Sequence, residues 1–495
     1  MEPTIIHLDP DHAVGNVDPR IFGGFLEHMG RAVYQGVYDP ESAHADKDGY
    51  RIDVLSALQR LKMSVMRYPG GNFASGYHWL DGIGPVGGRP ITCELAWQSL
   101  EPNTFGTEEY LRLCKIMDWD PMITVNLGTG SPEEARNWVE YCNAPAGSRY
   151  ADLRVKNGCP SLHNVKLWCL GNEMDGPWQL GHVPAEQYAI RAQQAARMMK
   201  DVDPALEVVV CGSSSPGMTT YIEWDRQVLE YMGDFADYIS LHRYVGNSQD
   251  DTLDYLAITN SIDRQIEEIN VTCRFVQAKR RSRRRAYLCF DEWNVWYRNK
   301  QINGEGRRTP HLIEEVYNLE DALVVAGFLN SFIRHADVVK VANLAQIVNV
   351  IAPIQTCGDA ILIQSIFYPF EMVSRRKKGI SLQPILHGPK YTGRSNGDVP
   401  FIDSSAILDG SRLHVFATNR SPSEAAIVTV DVTQRQILVL ESAEILIGPS
   451  AKAANSYENP DLIKSQPFAQ VDLREGKVYF MLPPLPFAAL TLQVE

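Results

Sequence analysis

The sequence predicts an α/β fold: a (β/α)8 TIM barrel followed by a C-terminal antiparallel β-sandwich of jelly-roll type. Two observations carry this reading. Eight short apolar segments, each closing on polar or small residues, alternate with helical patterns up to about residue 346. Beyond about residue 380 the runs become short, alternating or β-branched, with turn residues between them, as in a sandwich.

In chain order, Thr4-Ile5-Ile6-His7-Leu8 within residues 3–14 reads as a strand that joins the C-terminal module. The barrel strands are residues 21–27, 64–72, 121–126, 165–173, 207–213, 238–244, 286–292 and 339–346. Their near-continuous apolar character fits a parallel sheet buried on both faces. Helical periodicity covers residues 53–61, 107–117, 132–142, 185–200, 251–279 and 319–335. Ser131 before Pro132, with Glu134 three positions on, is a helix start and not an anion cradle. Sandwich strands are expected at 412–419, 426–432, 436–441, 477–482 and 487–494. The expected division is residues 1–15 with the sandwich, 16–375 as the catalytic barrel and 376–495 as the sandwich.

Hydrophobic residues make up 44% and charged residues 22%, an ordinary globular balance. The net charge of −13 argues against nucleic-acid and anionic-membrane partners, because the mean field repels polyanions. One basic run, residues 279–285, opposes that trend and reads as a solvated turn, with a phosphate or targeting patch as the alternative. The 9 cysteines are scattered singly, which excludes a disulfide framework and a zinc ribbon. Neither an apolar leader nor a spanning run of about twenty residues is present, so a soluble, cytoplasmic protein is expected.

In a (β/α)8 barrel the chemistry sits where the strands end. Here those ends are Glu27, Asn72, Asn126, Glu173, Ser213, His242/Tyr244, Glu292 and Gln346. Two of the strands stop at a glutamate, in Leu170-Gly171-Asn172-Glu173 and Phe290-Asp291-Glu292-Trp293-Asn294. Burying a carboxylate there costs solvation free energy, so a pair at one mouth points to acid/base chemistry on glycosidic bonds. Glu173 suits the proton donor and Glu292 the nucleophile, with Asn172 placed for the sugar 2-hydroxyl. Two carboxylates ~5 Å apart at an effective dielectric of about 20 repel by roughly 3 kcal/mol. That predicts that Glu173 stays protonated near neutrality.

Gly24-Phe25-Leu26-Glu27-His28-Met29-Gly30-Arg31, Met66-Arg67-Tyr68-Pro69-Gly70-Gly71-Asn72, Val125-Asn126-Leu127-Gly128-Thr129-Gly130, Asn172-Glu173-Met174-Asp175-Gly176-Pro177-Trp178 and Asp291-Glu292-Trp293-Asn294 form an ordered set. It resembles glycoside hydrolase family 51, most characterised members of which are α-L-arabinofuranosidases. The resemblance continues through Leu344-Ala345-Gln346-Ile347-Val348-Asn349 into the sandwich. It implies a retaining, exo-acting enzyme that removes terminal arabinofuranosyl groups from arabinan- or arabinoxylan-type oligosaccharides. It also implies that the chain forms a homo-oligomer, such as a hexamer. No metal or organic cofactor is expected, because two carboxylates carry the chemistry.

By the same resemblance Glu173 is the acid/base and Glu292 the nucleophile. Glu27, Asn72, Asn172 and Gln346 would hold the furanose hydroxyls, Tyr244 would bond the nucleophile, and Arg67 would support the same carboxylate. His242, two positions from Tyr244 and facing the same way at one strand end, is read as a supporting site residue. Trp97 and Trp79 are read as stacking platforms for a sugar ring and Trp178 as a pocket wall. Each has a structural alternative: Glu27 paired with Arg31, Asn72 as a turn residue, Trp97 and Trp79 as rim or core aromatics. Two departures from the family pattern are Arg243, expected on the opposite face from His242 and Tyr244, and Ile361-Leu362 where a Trp-Arg pair is common. An endo-β-glucanase or β-xylosidase on the same barrel, or an inactive carbohydrate-binding protein, is the competing reading. The segment 298–310 after the nucleophile strand is either a lid or a plain connection.

Overall fold

The computed structural model describes residues 2–298 and 304–495. Eight parallel strands close into a barrel in sequence order. They are β1 (Gly23–Phe25), β2 (Val65–Tyr68), β3 (Asp120–Val125), β4 (Leu167–Leu170), β5 (Glu207–Cys211), β6 (Tyr238–Val245), β7 (Tyr287–Val295) and β8 (Val339–Ala345). All eight expected segments are present. Several are shorter than expected because their polar ends leave the ladder to enter loops. Val65, Met122, Leu167, Cys169, Val209, Cys289 and Val341 fill the barrel interior with an apolar plug.

Helices cover the outside, the longest being Ala185–Val202 and Thr259–Arg280. The expected helix over 251–279 is two helices, Thr252–Leu256 and Thr259–Arg280, with a turn at Ala257 and Ile258. Glu223–Met232, not anticipated, fills the place between β5 and β6. Its buried Trp224, Val228, Leu229 and Met232 do carry the helical period. Arg149–Lys156 and Phe367–Ser374 were likewise unforeseen. Ser131 Oγ accepts from the Glu134 amide at the start of Pro132–Asn143, so that segment is a capped helix.

The C-terminal region is two packed sheets. One has the strand order 385–387, 4–8, 426–432, 477–482, 471–474, and the other 13–16, 380–382, 402–409, 412–419, 487–494, 437–447, 464–467. Thr4–Leu8 thus pairs in parallel with Ala426–Val432. The short strands between 380 and 400 and at 464–474 escaped the sequence reading because runs of three or four residues show little alternation, and the eight-residue strand Ile402–Asp409 was missed as well. Leu319–Arg334, buried on nearly every face, joins the two regions. There Asp403 pairs with Arg334 and Arg420, each at 3.0 Å. Three residues of the basic run pair locally: Lys279 with Glu230, Arg280 with Asp234 and Arg284 with Asp237.

Candidate active site

The loops and strand ends at the C-terminal mouth of the barrel line a cavity of about 560 Å³. Of the eight polar strand ends, Glu27, Asn72, Glu173, Tyr244, Glu292 and Gln346 reach it. Asn126 and Ser213 do not. Asn126 Oδ1 accepts from the amides of Gly128, Thr129 and Gly130, and Ser213 bonds Asp225. Both therefore fix loops. Trp79 is a core residue, stacked on Trp138.

Glu173 follows the left-handed Gly171 and is itself left-handed, at φ +43°, beyond the end of β4. Glu292 sits within β7, in register with His242 of β6. One carboxylate oxygen of Glu173, one of Glu292 and one imidazole nitrogen of His242 all lie within 4.8 Å of one another. Arg67 Nη1 is 2.6 Å from Glu292 Oε1, and the Tyr244 hydroxyl donates to Glu292 Oε2 at 2.8 Å. Arg67 Nη2 donates to Asn172 Oδ1 at 2.8 Å, and Asn172 Nδ2 donates to Asn72 Oδ1 at 3.2 Å. One guanidinium thus orients the nucleophile candidate and the amide beside it. Gly71 permits the crowding, since a Cβ there would stand 2.5 Å from Glu292 Oε1.

Glu27 does not pair with Arg31, which instead grips Glu314 through two nitrogens at 2.7 and 3.0 Å. Glu27 Oε1 accepts from the Phe73 amide at 3.0 Å and from Trp97 Nε1 at 3.1 Å. Gln346 Nε2 lies 3.4 Å from Glu27 Oε2. Trp97 therefore meets the pocket as a donor as well as a flat face. Trp178, 53% exposed at the rim, donates from Nε1 to Glu173 Oε2 at 2.7 Å. Arg243 points away from its neighbours, to Ser261 of the outer helix layer, as expected. Ile361 and Leu362 lie in a hairpin, Ile354–Cys357 with Ala360–Ile363. Of the possible lid, residues 299–303 lie outside the described residues. Its later part is tied down: Gly304 and Gly306 amides donate to Trp97 and Gln98 carbonyls at 2.7 and 2.8 Å.

Protonation departs from the sequence expectation. Burial alone would raise the Glu173 carboxyl, but hydrogen bonds from His242 and Trp178 and the imidazolium charge bring it below its ordinary value. Burial would depress His242. The carboxylates of Glu292, Asp291 and Glu173 outweigh that and hold it well above an ordinary histidine. His242 Nδ1 lies 2.9 Å from Glu173 Oε1 and 3.5 Å from Glu292 Oε2, and Nε2 lies 3.4 Å from Asp291 Oδ1. The proton expected on Glu173 thus rests on the imidazole beside it. The cation between the two carboxylates reverses the direction that their mutual repulsion alone predicts. Glu27 takes the opposite course: burial, then the Glu292 charge, push it up to about 8.

Glu173, His242 and Glu292 form the one group among the described residues whose donor atoms could share an ion. A metal there would have to displace the imidazolium proton and compete with Arg67 for Glu292. Asp291 was quoted in the sequence without a role. It meets Arg67 Nε at 3.2 Å and accepts from Ser240, so it anchors both cations. Its strand neighbours gave no sign of this, because Arg67 and Ser240 come from other strands. Met218, Trp296, Ile313 and Ile351 also line the cavity and carried no sequence signal.

A family model for the alpha-L-arabinofuranosidase 1 domain matches residues 57–258, and one for the alpha-L-arabinofuranosidase C-terminal domain matches residues 291–485. The chain is 44% identical over 473 residues to an intracellular exo-α-(1→5)-L-arabinofuranosidase of Acetivibrio thermocellus, covering 92% of this chain and 94% of that protein. A Bacillus subtilis protein of the same description is 43% identical, with 94% of each chain covered. The structure of a family 51 α-L-arabinofuranosidase of Bifidobacterium longum superimposes with a TM-score of 0.95 over 100% of both chains, at 33% identity.

Proposed function

The chain belongs to the α-L-arabinofuranosidases of glycoside hydrolase family 51, and from that membership we propose a retaining double displacement carried by Glu173 and Glu292. Its activity is that of an exo-α-L-arabinofuranosidase, as in relatives 43–44% identical over almost the whole chain. The substrates proposed are arabinan- and arabinoxylan-type oligosaccharides, with α-(1→5) linkages favoured because both relatives are described by that linkage. The same relatives are called intracellular, so we place this enzyme in the cytoplasm, acting on short oligosaccharides. The catalytic unit is taken as residues 16–375, with the sandwich as residues 376–495 joined by the N-terminal strand. A homo-oligomer is part of the proposal, and sedimentation velocity measures it.

One observation supports the mechanism most directly. Oxygens of the two glutamates approach within 4.8 Å, in the range of a nucleophile and an acid on one anomeric carbon and too close for an intervening water. In the first step Glu292, held by Arg67 and Tyr244, attacks the anomeric carbon while Glu173 protonates the departing oxygen. Its proton comes from His242, whose Nδ1 is 2.9 Å from Glu173 Oε1, so Glu173 is left as a carboxylate once the leaving group has departed. Esterification removes the Glu292 charge that does most to hold the imidazolium, so His242 releases its proton as the ester forms. Glu173 then accepts a proton from water as the ester is hydrolysed, and the returning Glu292 carboxylate recharges His242. Glu27, Asn72, Asn172 and Gln346 hold the hydroxyls.

The test is proton NMR of 4-nitrophenyl α-L-arabinofuranoside during turnover. The α-anomer of free arabinose should appear first and the β-anomer later by mutarotation; β-arabinose appearing first would reject the double displacement. Hydrolysis of β-D-xylosides or carboxymethylcellulose in place of the arabinoside would favour the competing enzyme readings.

A further inference from the structure

Ile313 and Ile351 line the cavity, yet the proposed mechanism gives them nothing to do. Both are in the left-handed region, at φ +46° and +40°. Branching at Cβ makes that conformation costly for isoleucine, and glycine would adopt it freely. The two are locked together, for the Ile351 amide donates to the Ile313 carbonyl at 3.0 Å. Asn294, two residues past Glu292, donates to the Ile351 carbonyl at 2.5 Å and to the Ala345 carbonyl at 2.7 Å. The loop after β1 closes on the same place. At Gly30, φ +53°, a Cβ would stand 3.0 Å from the Pro310 carbonyl oxygen and 3.2 Å from Leu312 Cβ. Loops after β1, β7 and β8 thus interlock into one rigid wall, with the isoleucines 4% and 5% exposed.

The placement of the other groups says which part of the sugar meets that wall. Glu173 and Glu292, on β4 and β7, define the anomeric carbon, and the leaving group departs beside Glu173 toward Trp178 at the rim. The hydroxyl-binding Glu27, Asn72 and Gln346 stand at the ends of β1, β2 and β8. The furanose ring therefore runs from the glutamates toward β1 and β8, and its far end is C5 with its hydroxyl. On that side the cavity is lined by Met29, beside Gln346, and by Ile351 after β8 with its partner Ile313.

We propose that Ile313 and Ile351 form a fixed apolar stop beyond O5 of the bound arabinofuranosyl group, excluding any residue that carries a further sugar on O5. Exo-action on a 1,5-linked chain then comes from these two side chains, held in a conformation that glycine would fill with no stop at all. The inference rests on the arabinofuranosidase reading, and its test separates the two. Initial rates are compared for 4-nitrophenyl α-L-arabinofuranoside and its 5-O-methyl ether. The wild-type protein should prefer the free hydroxyl by ~100-fold, the range an ill-fitting group gives in an apolar pocket. Ile351→Gly and Ile313→Gly should each narrow that ratio by about tenfold or more. Ile351→Val, which trims one methyl and keeps the backbone demand, should shift it the same way by a smaller factor and decides the matter if the glycine variants do not fold. An unchanged ratio in folded variants, or equal turnover of both substrates by the wild-type protein, overturns the stop while leaving the activity standing. No turnover of either substrate by the wild-type protein removes the activity, and the stop with it.

Discussion

The two ends of the barrel both bury charge, and they do so to opposite effect. At the N-terminal end Arg20 reaches Asp18 at 3.0 Å, Glu207 at 2.8 Å and the Tyr238 hydroxyl at 2.9 Å. Burial works against the guanidinium there, yet those partners raise its pKa above the ordinary value. At the C-terminal end Glu173, Asp291 and Glu292 crowd around Arg67 and His242: three carboxylates on two cations. Arg67 Nε and His242 Nε2 are near Asp291 but make no proper hydrogen bond. The apolar plug of Cys169, Cys289 and their neighbours separates the two ends. One scaffold thus carries a satisfied cluster that stabilises and a crowded one whose charges shift during reaction. Removing charge should cost stability at the first and activity at the second.

The largest effect expected is at Glu292. Glu292→Ala should lose ~10⁴-fold or more of kcat on every substrate, because no ester can form. Glu292→Gln, which retains the shape, should melt at the same temperature as the wild-type protein or higher, since two carboxylates then face two cations. A calorimetric Tm lowered by several degrees would break the comparison. Next comes Glu173. Glu173→Ala should lose ~10³-fold on arabinobiose but far less on the 4-nitrophenyl glycoside, whose leaving group needs no proton. Azide should restore turnover and give the α-configured glycosyl azide, by attack on the ester, whereas azide with Glu292→Ala should give the β-azide by direct displacement. The same azide anomer from both variants would mean that the roles are misassigned.

The two ends also differ in how legible they were in the sequence. The placement of Glu27, Glu173 and Gln346 just past strand ends was readable, because a polar residue after an apolar run violates simple burial; Glu292 was read as a strand end by the same signal, although β7 runs on to Val295. The eight strands were readable for the same reason. Glu223–Met232 was passed over despite its period, and the helix over 251–279 was read through a turn that contains neither glycine nor proline. The protonation of Glu173 was misjudged because His242 lies far from both glutamates in the chain and adjacent to both only once the ring closes. The left-handed isoleucines are silent in sequence altogether, since β-branched residues give no hint of positive φ.

A smaller effect separates Glu27 from the lower cluster. Its carboxyl is neutral in the fold up to about pH 8, while in the unfolded chain it ionises near 4.5. Below pH 4.5 both states hold the proton and nothing is lost. As pH rises to about 8 the unfolded chain releases it and the fold does not, so stability falls by about 5 kcal/mol and then levels off. Glu27→Gln has no such proton. Its Tm advantage over the wild-type protein should therefore widen between pH 4.5 and 8 and stay constant above. A gap independent of pH would place an ionised Glu27 in the pocket and remove it from the crowded cluster.

The smallest effect on catalysis, and the clearest contrast, is at Arg20. Its side chain is 21% exposed, as is that of Asp18, while that of Glu207 is 38% exposed, so solvent already screens part of each interaction. Arg20→Met should keep the aliphatic packing and give up the hydrogen bonds to two carboxylates and a phenol. About 1–2 kcal/mol of stability should go, seen as a Tm lower by a few degrees. The kcat on 4-nitrophenyl α-L-arabinofuranoside should stay within about twofold, because the apolar plug leaves no polar path from this end to Glu173. Glu207→Gln should lose less than Arg20→Met, and the double variant less than the sum, since the two share one interaction. A kcat falling in step with stability would mean that the lower cluster sets the geometry of the upper one, and the two ends would have to be treated as a single electrostatic unit.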